Sequence, residues 1–291
     1  MPMSSEQQSL LEKPISTKIF LHGMAGTGKS TAATHWLRKL LESGIPAHEI
    51  LIFVPQRALA KPYHDSLRES EIAAQGMITT ITLGGLARRM VDLFWPLVSH
   101  EAGFSQPNLP PQFLTLETAQ YYMAHIVRPL IDEQRFFESL TINRNRIYSQ
   151  ILDNLNKSAV FGFPHEDIGS RLKSAWIGEI EQHHIYDDVQ ACVNQFRDFC
   201  LQNNLLDFSL QVEIFVKHLW HSPLCRQYLN RNYRHLIVDN LEEDTPITHD
   251  ILRDWISDFD SALLIFDENA GYRFFLGADP QSGSSLQKVC D

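Results

Sequence analysis

The chain has 291 residues, 44% of them apolar and 21% charged, with 25 Lys and Arg against 35 Asp and Glu. At about 150 residues per domain this length holds one large domain or two smaller ones, and the composition excludes a collagen-like, low-complexity or disordered chain. A net charge of -10 excludes a surface that is basic all over, as a DNA-coating protein has.

In chain order, residues 1–16 are polar with two prolines and read as a flexible leader. "TKIFLHG" is a short apolar run ending in glycine, and in "KSTAATHWLRKLLESG" the residues Ala33, Trp36, Leu37, Leu40 and Leu41 recur at helical spacing before Gly44. "ILIFVP" at 50–55 and "MITTIT" at 77–82 predict two more strands, each followed by a helix-like stretch. Strands alternating with helices predict parallel pairing through right-handed crossovers. From 104 to 204 long amphipathic stretches such as "LETAQYYMAHIVRPLI" predict an inserted helical subdomain. "HLIVDN" at 235–240 and "ALLIFDE" at 262–268 then restore the strand pattern, with a helix between them, and 281–291 reads as a tail or linker. The predicted fold class is α/β, a parallel sheet in two parts, 17–103 and 205–280, around the helical insertion.

Cys192, Cys200, Cys225 and Cys290 show no metal-ligand or disulfide spacing, which fits a reducing, cytoplasmic setting. No window resembles a signal peptide or a membrane span. The clusters Arg88 with Arg89, and Arg135 with Arg144 and Arg146, read either as solvated charge or as a local basic groove. Trp36 and Trp95 read as core aromatics rather than platforms for stacking bases.

"GMAGTGKS", Gly23 to Ser30, satisfies G-x-x-x-x-G-K-[ST] between a strand and a helix. In that pattern backbone N–H groups and the helix N-terminus face phosphate oxygens. The predicted nucleotide-binding residues are Gly23, Gly26, Thr27, Gly28, Lys29, Ser30 and Thr31, with Lys29 reaching the β- and γ-phosphates. Ser30 and Asp239, the acid at the end of a second buried strand, are the candidate Mg²⁺ ligands. The alternatives are a glycine-rich turn with a solvated lysine and a strand-end Asp that only caps a loop.

Several further segments fall in the order found in UvrD/Rep-type superfamily 1 DNA helicases and their AddB-like relatives, and the chain resembles that family. "TTITLGGLARRMV" is similar to its element touching single-stranded DNA, "NNLLDFSLQVEIF" to its "LDFDDLL" helix, "YRHLIVDNLEEDTP" to "Y..ILVDEFQDTN", and "FDENAGYRFFLGADP" to "GDDDQSIYRFRGADP". The resemblance implies a P-loop NTPase (RecA-like) fold for the parallel sheet, ATP and Mg²⁺ as cofactors and single-stranded DNA as a partner, with contacts at Thr80, Thr82 and Arg88. It also implies a second motor domain or partner subunit beyond this chain.

The departures are specific. Asn240 stands where the family keeps the glutamate that orients the attacking water, and "NLEEDT" is one residue longer than "EFQDT". Ala270 replaces the family's γ-phosphate-sensing glutamine and Leu276 its arginine, and no glutamine-containing adenine-recognition element is evident in residues 1–16. The candidate catalytic residues are therefore Lys29, Asp239 and Asn240, with Glu242 or Glu243 as alternatives if the extra residue carries one of them to the nucleotide. Three functions follow: a helicase or helicase–nuclease motor of DNA repair or recombination with impaired hydrolysis, an inactive helicase-like scaffold, or a P-loop kinase.

Overall fold

The computed structural model describes residues 4–68, 77–178 and 182–291. Residues 1–3 of the expected leader lie outside the described residues. The chain forms two compact units, one from residues 1–86 and 223–291 and the other from 87–222.

The first unit is built on a five-stranded sheet. Its strands are β1 (Lys18–Met24), β2 (Ile50–Phe53), β3 (Thr79–Ile81), β6 (His235–Val238) and β7 (Ser261–Glu268), in the spatial order β1-β7-β6-β2-β3. Every neighbouring pair is parallel. "ILIF" of β2 and "HLIV" of β6 are buried throughout, the continuous pattern of a parallel sheet covered on both faces. Helix α2 (Lys29–Glu42) buries Ala33, Trp36, Leu37, Leu40 and Leu41, the residues whose spacing predicts it. Helices α3 (Lys61–Arg68), α11 (Pro223–Asn232), α12 (Pro246–Trp255) and α13 (Pro280–Ser284) complete this unit.

Two expectations change at the ends of the chain. The leader is ordered from Ser5 to Glu12 as α1, because Ser4 and Gln7 cap the helix reciprocally and Leu10 is buried in the core with α2. The tail also packs: Asp279 caps α13, Leu286 is fully buried, and Asp291 pairs with the backbone of Lys18, accepting from its N at 2.7 Å and donating to its O at 2.8 Å.

The second unit is helical, with α5 (Trp95–Val98), α6 (Leu116–Gln134), α7 (Arg144–Phe161), α8 (Ile168–Ala175), α9 (His183–Gln202) and α10 (Phe208–Ile214), and a short parallel pair β4 (Gln112–Phe113) and β5 (Leu205–Leu206). It is wider than the expected 104–204. The chain enters it inside the unbroken helix α4 (Leu83–Leu93), so no loop marks the boundary. At the far end Asp207 caps α10 and ion-pairs with Arg197 of α9, which keeps "LDFSLQVEI" with the helices. Trp36 and Trp95 are both buried, as read. Among the described residues no helix is long and apolar enough to cross a membrane.

Candidate functional site

β1, β6 and β7 end side by side, and their C-terminal ends carry the candidate residues. The loop after β1 reverses through Gly26 and Gly28, whose φ angles of 80° and 84° suit glycine. Gly28 is the left-handed N-cap of α2, so the backbone of Lys29, Ser30 and Thr31 opens the helix. Lys29 is only 7% exposed. Its Nζ donates to Gly23 O at 2.8 Å and to Met24 O at 2.5 Å, and lies 2.8 Å from Asp267 Oδ1. Thr27 Oγ1 donates to Met24 O at 2.8 Å and stiffens the same turn. Gly23 pairs in register with Asp267, which brings the end of β7 to the loop.

Asp239 follows β6 and is 2% exposed. Tyr63 of α3 donates its hydroxyl to Oδ2 at 2.7 Å, Asn240 N donates to Oδ1 at 2.9 Å, and the Ser30 side chain bonds the same carboxylate. Burial raises the Asp239 carboxyl above the usual range, and these donors oppose that rise. The structure thus brings Ser30 and Asp239 together as the sequence pairs them. Among the described residues no three His, Cys, Asp or Glu side chains form a metal cage. A hydroxyl and one carboxylate beside a phosphate loop suit Mg²⁺, which takes few protein ligands and completes its shell with water and phosphate.

Asn240, the first residue of "NLEEDT", adopts φ 57° and ψ 47°. Asn is among the few residues that enter this left-handed region readily. The bend starts a 3-10 turn, Leu241–Glu243, that sends the two glutamates to different places. Glu242 turns inward, 1% exposed, with Oε2 accepting from Asp267 N at 2.9 Å. Burial, helped by the nearby Asp267, pushes its carboxyl up to about 7 against the pull of its hydrogen bonds, one of them from the Asn240 side chain. Glu243 commits both oxygens to the backbone, accepting from Tyr272 N at 2.9 Å and Arg273 N at 3.0 Å. Asp239, Glu242, Asp267 and Lys29 therefore form one linked group at the ends of three strands.

The DNA-contact candidates lie elsewhere. Thr80 Oγ1 is 3.2 Å from His64 Nε2, and Thr82 Oγ1 accepts from Gly85 N at the start of α4. Arg88 is exposed, with its guanidinium 4.7 Å from the Phe113 ring centroid.

Sequence reasoning missed four features. Gln7 Nε2 donates to Gly28 O at 3.1 Å, so a glutamine does reach the glycine loop from residues 1–16; the signal was S-x-x-Q before an apolar pair. Tyr63 and Asp267 were reachable only through the pairing of distant strands. The fourth is an exposed aromatic stretch after β7, where Tyr272, Phe274 and Phe275 are 80%, 65% and 69% exposed.

Comparison with known proteins gives a consistent picture. The sequence model of the UvrD/REP helicase N-terminal domain matches residues 3–290. Proteins named ATP-dependent DNA helicase UvrD2 from Mycobacterium bovis (strain ATCC BAA-935 / AF2122/97) and Mycobacterium tuberculosis (strain ATCC 25618 / H37Rv) are 20% identical over 296 residues. The match covers 96% of this chain and 38% of each relative.

Proposed function

The chain belongs to the UvrD/REP helicase N-terminal domain family, and from that premise we propose that it is the ATP-binding motor unit of a DNA helicase or helicase–nuclease acting in DNA repair or recombination in the cytoplasm. The linked group of Lys29, Asp267, Asp239 and Glu242 at three adjacent strand ends carries this reading. Phosphates would bind the backbone N–H groups of Gly26 to Thr31, with Lys29 Nζ turning from the carbonyls of Gly23 and Met24 to the β- and γ-oxygens. Mg²⁺, held by Ser30 and Asp239, would neutralise charge on the β- and γ-phosphates. Gln7, already at the loop, suits the adenine-side role that the family resemblance assigns to a glutamine. Thr80, Thr82 and Arg88 would be contacts for single-stranded DNA, and the exposed rings of Tyr272, Phe274 and Phe275 would offer faces on which bases can stack. Strand separation requires a second motor domain. The chain spans 38% of the length of the curated relatives it matches.

For the hydrolytic step the carboxylate is Glu242 rather than a group at 240. Asn240 makes the bend that delivers Glu242 inward, and a carboxyl held near 7 is poised to accept a proton at working pH. Glu243, with both oxygens on backbone donors, acts as a brace. Ala270 and Leu276 offer no polar contact to a γ-phosphate, so turnover is slow relative to a motor that keeps both polar groups. Those two residues also favour the second reading, a helicase-like scaffold that binds ATP without hydrolysing it.

Two measurements test these readings. Lys29→Ala should abolish most ATP and ADP binding in calorimetry; equal binding by wild type and variant would sink the nucleotide assignment. In the full-length protein with single-stranded DNA, Glu242→Gln should lower steady-state ATP turnover by about 10²–10⁴-fold, while Asn240→Glu gains little because glutamate resists the left-handed backbone. Wild-type turnover at background would favour the scaffold. A large gain from Asn240→Glu would return the limiting role to Asn240.

A further inference from the structure

Tyr63 is fully buried in α3, among the apolar residues that pack α2 against the sheet. A phenol in such a place needs a partner for its hydroxyl. Phenylalanine would fill nearly the same space without that demand. The partner is Asp239 Oδ2 at 2.7 Å, across 176 residues of sequence and between two buried groups. Hydrogen bonds to an ionised acceptor are among the stronger ones. This one fixes the rotamer of a carboxylate whose other oxygen is already held by Asn240 N. The next residue, His64, has Nε2 3.2 Å from Thr80 Oγ1, in the middle of β3. Consecutive side chains of one helix thus hold the acid after β6 and the hydroxyl on β3.

We propose that Tyr63 is a positioning residue for Mg²⁺ binding. It locks Asp239 in the orientation that faces Ser30, and with His64 it makes α3 a link between that carboxylate and Thr80 of β3. The role rests on the magnesium–nucleotide reading of the site. A hydrogen-bond donor matters here because a buried carboxylate free to rotate must be ordered by the incoming ion at the ion's own expense.

The test compares wild type with Tyr63→Phe in the 291-residue protein, titrating Mg²⁺ at fixed ADP and measuring ADP binding calorimetrically, with a parallel series in EDTA. Tyr63→Phe should raise the half-saturating Mg²⁺ concentration by about tenfold and leave ADP affinity in EDTA unchanged. An identical Mg²⁺ dependence in the two proteins would overturn the role of Tyr63. Equal loss of affinity with and without Mg²⁺ would overturn it too, because a merely structural defect acts that way. Absence of ADP binding by wild type would instead strike the nucleotide reading. Should Tyr63→Phe melt below the assay temperature, 3-fluorotyrosine at position 63 replaces it. Its hydroxyl is a stronger donor in nearly the same shape, so it should lower the half-saturating concentration, and no change would overturn the proposal.

Discussion

Two clusters of buried charge lie in separate units and are arranged in opposite ways. In the helical unit Arg197 and Asp207 are 3% and 2% exposed, and Glu213 is flanked by Arg197 at 3.3 Å, Lys217 at 2.6 Å and His165 at 3.6 Å. Burial alone would raise the Glu213 carboxyl, but these neighbours outweigh it and bring it down to about 2. At the strand ends of the sheet the balance is reversed. Lys29 pairs with Asp267 alone of the three carboxylates there, and for the other two burial wins: Glu242 is pushed up to about 7 and Asp239 upward as well. Satisfied charge of the first kind holds helices together, whereas buried carboxylates with few cationic neighbours mark a place that meets a cation or a proton.

Thermodynamic linkage gives the two clusters opposite signs. Glu213 is depressed from an ordinary 4.5, so its stabilisation is complete above about pH 4.5 and is lost as pH falls toward 2. Glu213→Gln should show the largest effect, destabilising by about 2–4 kcal/mol at pH 7 in chemical denaturation because buried Arg197 loses a partner. Glu242 is raised from the same 4.5 to about 7, so ionising it costs stability increasingly between those values. Glu242→Gln should therefore stabilise the fold by up to about 3 kcal/mol at pH 8 and change little at pH 4. Denaturation midpoints for both variants at the two pH values would check this, and the same sign for both at pH 8 would break the contrast. The smallest effect belongs to neither cluster: Gln7→Ala should cost about 0.5–1 kcal/mol through loss of its capping box, seen as faster amide exchange across α1.

What could be read in the sequence was local. The glycine loop is contiguous, and its strand and helix are signalled by adjacent residues, so Lys29 and Ser30 stand where the motif puts them. The apolar runs of β2, β6 and β7 are likewise self-announcing. The destination of Glu242 was not legible, because it depends on a left-handed Asn240 and on the register that brings Asp267 N within reach. The unit boundary was hidden inside α4, whose helical pattern runs straight through it. Residues 5–12 looked like loose polar chain because only Leu10 of that helix is buried.

The primary amide of Gln7 is a planar group used at both ends. Its Oε1 accepts from Ser4 N at 3.0 Å, closing the first turn of α1, while Nε2 donates to Gly28 O at 3.1 Å. A half-turn of that plane would break both bonds at once, so the first turn of α1 and the Gly28 carbonyl of the glycine loop are tied through one side chain. Trimming past Ser4 would consequently be felt in the loop even though Ser4 lies far from Gly28 in sequence, and nucleotide affinities measured on such versions would differ from those of the 291-residue chain.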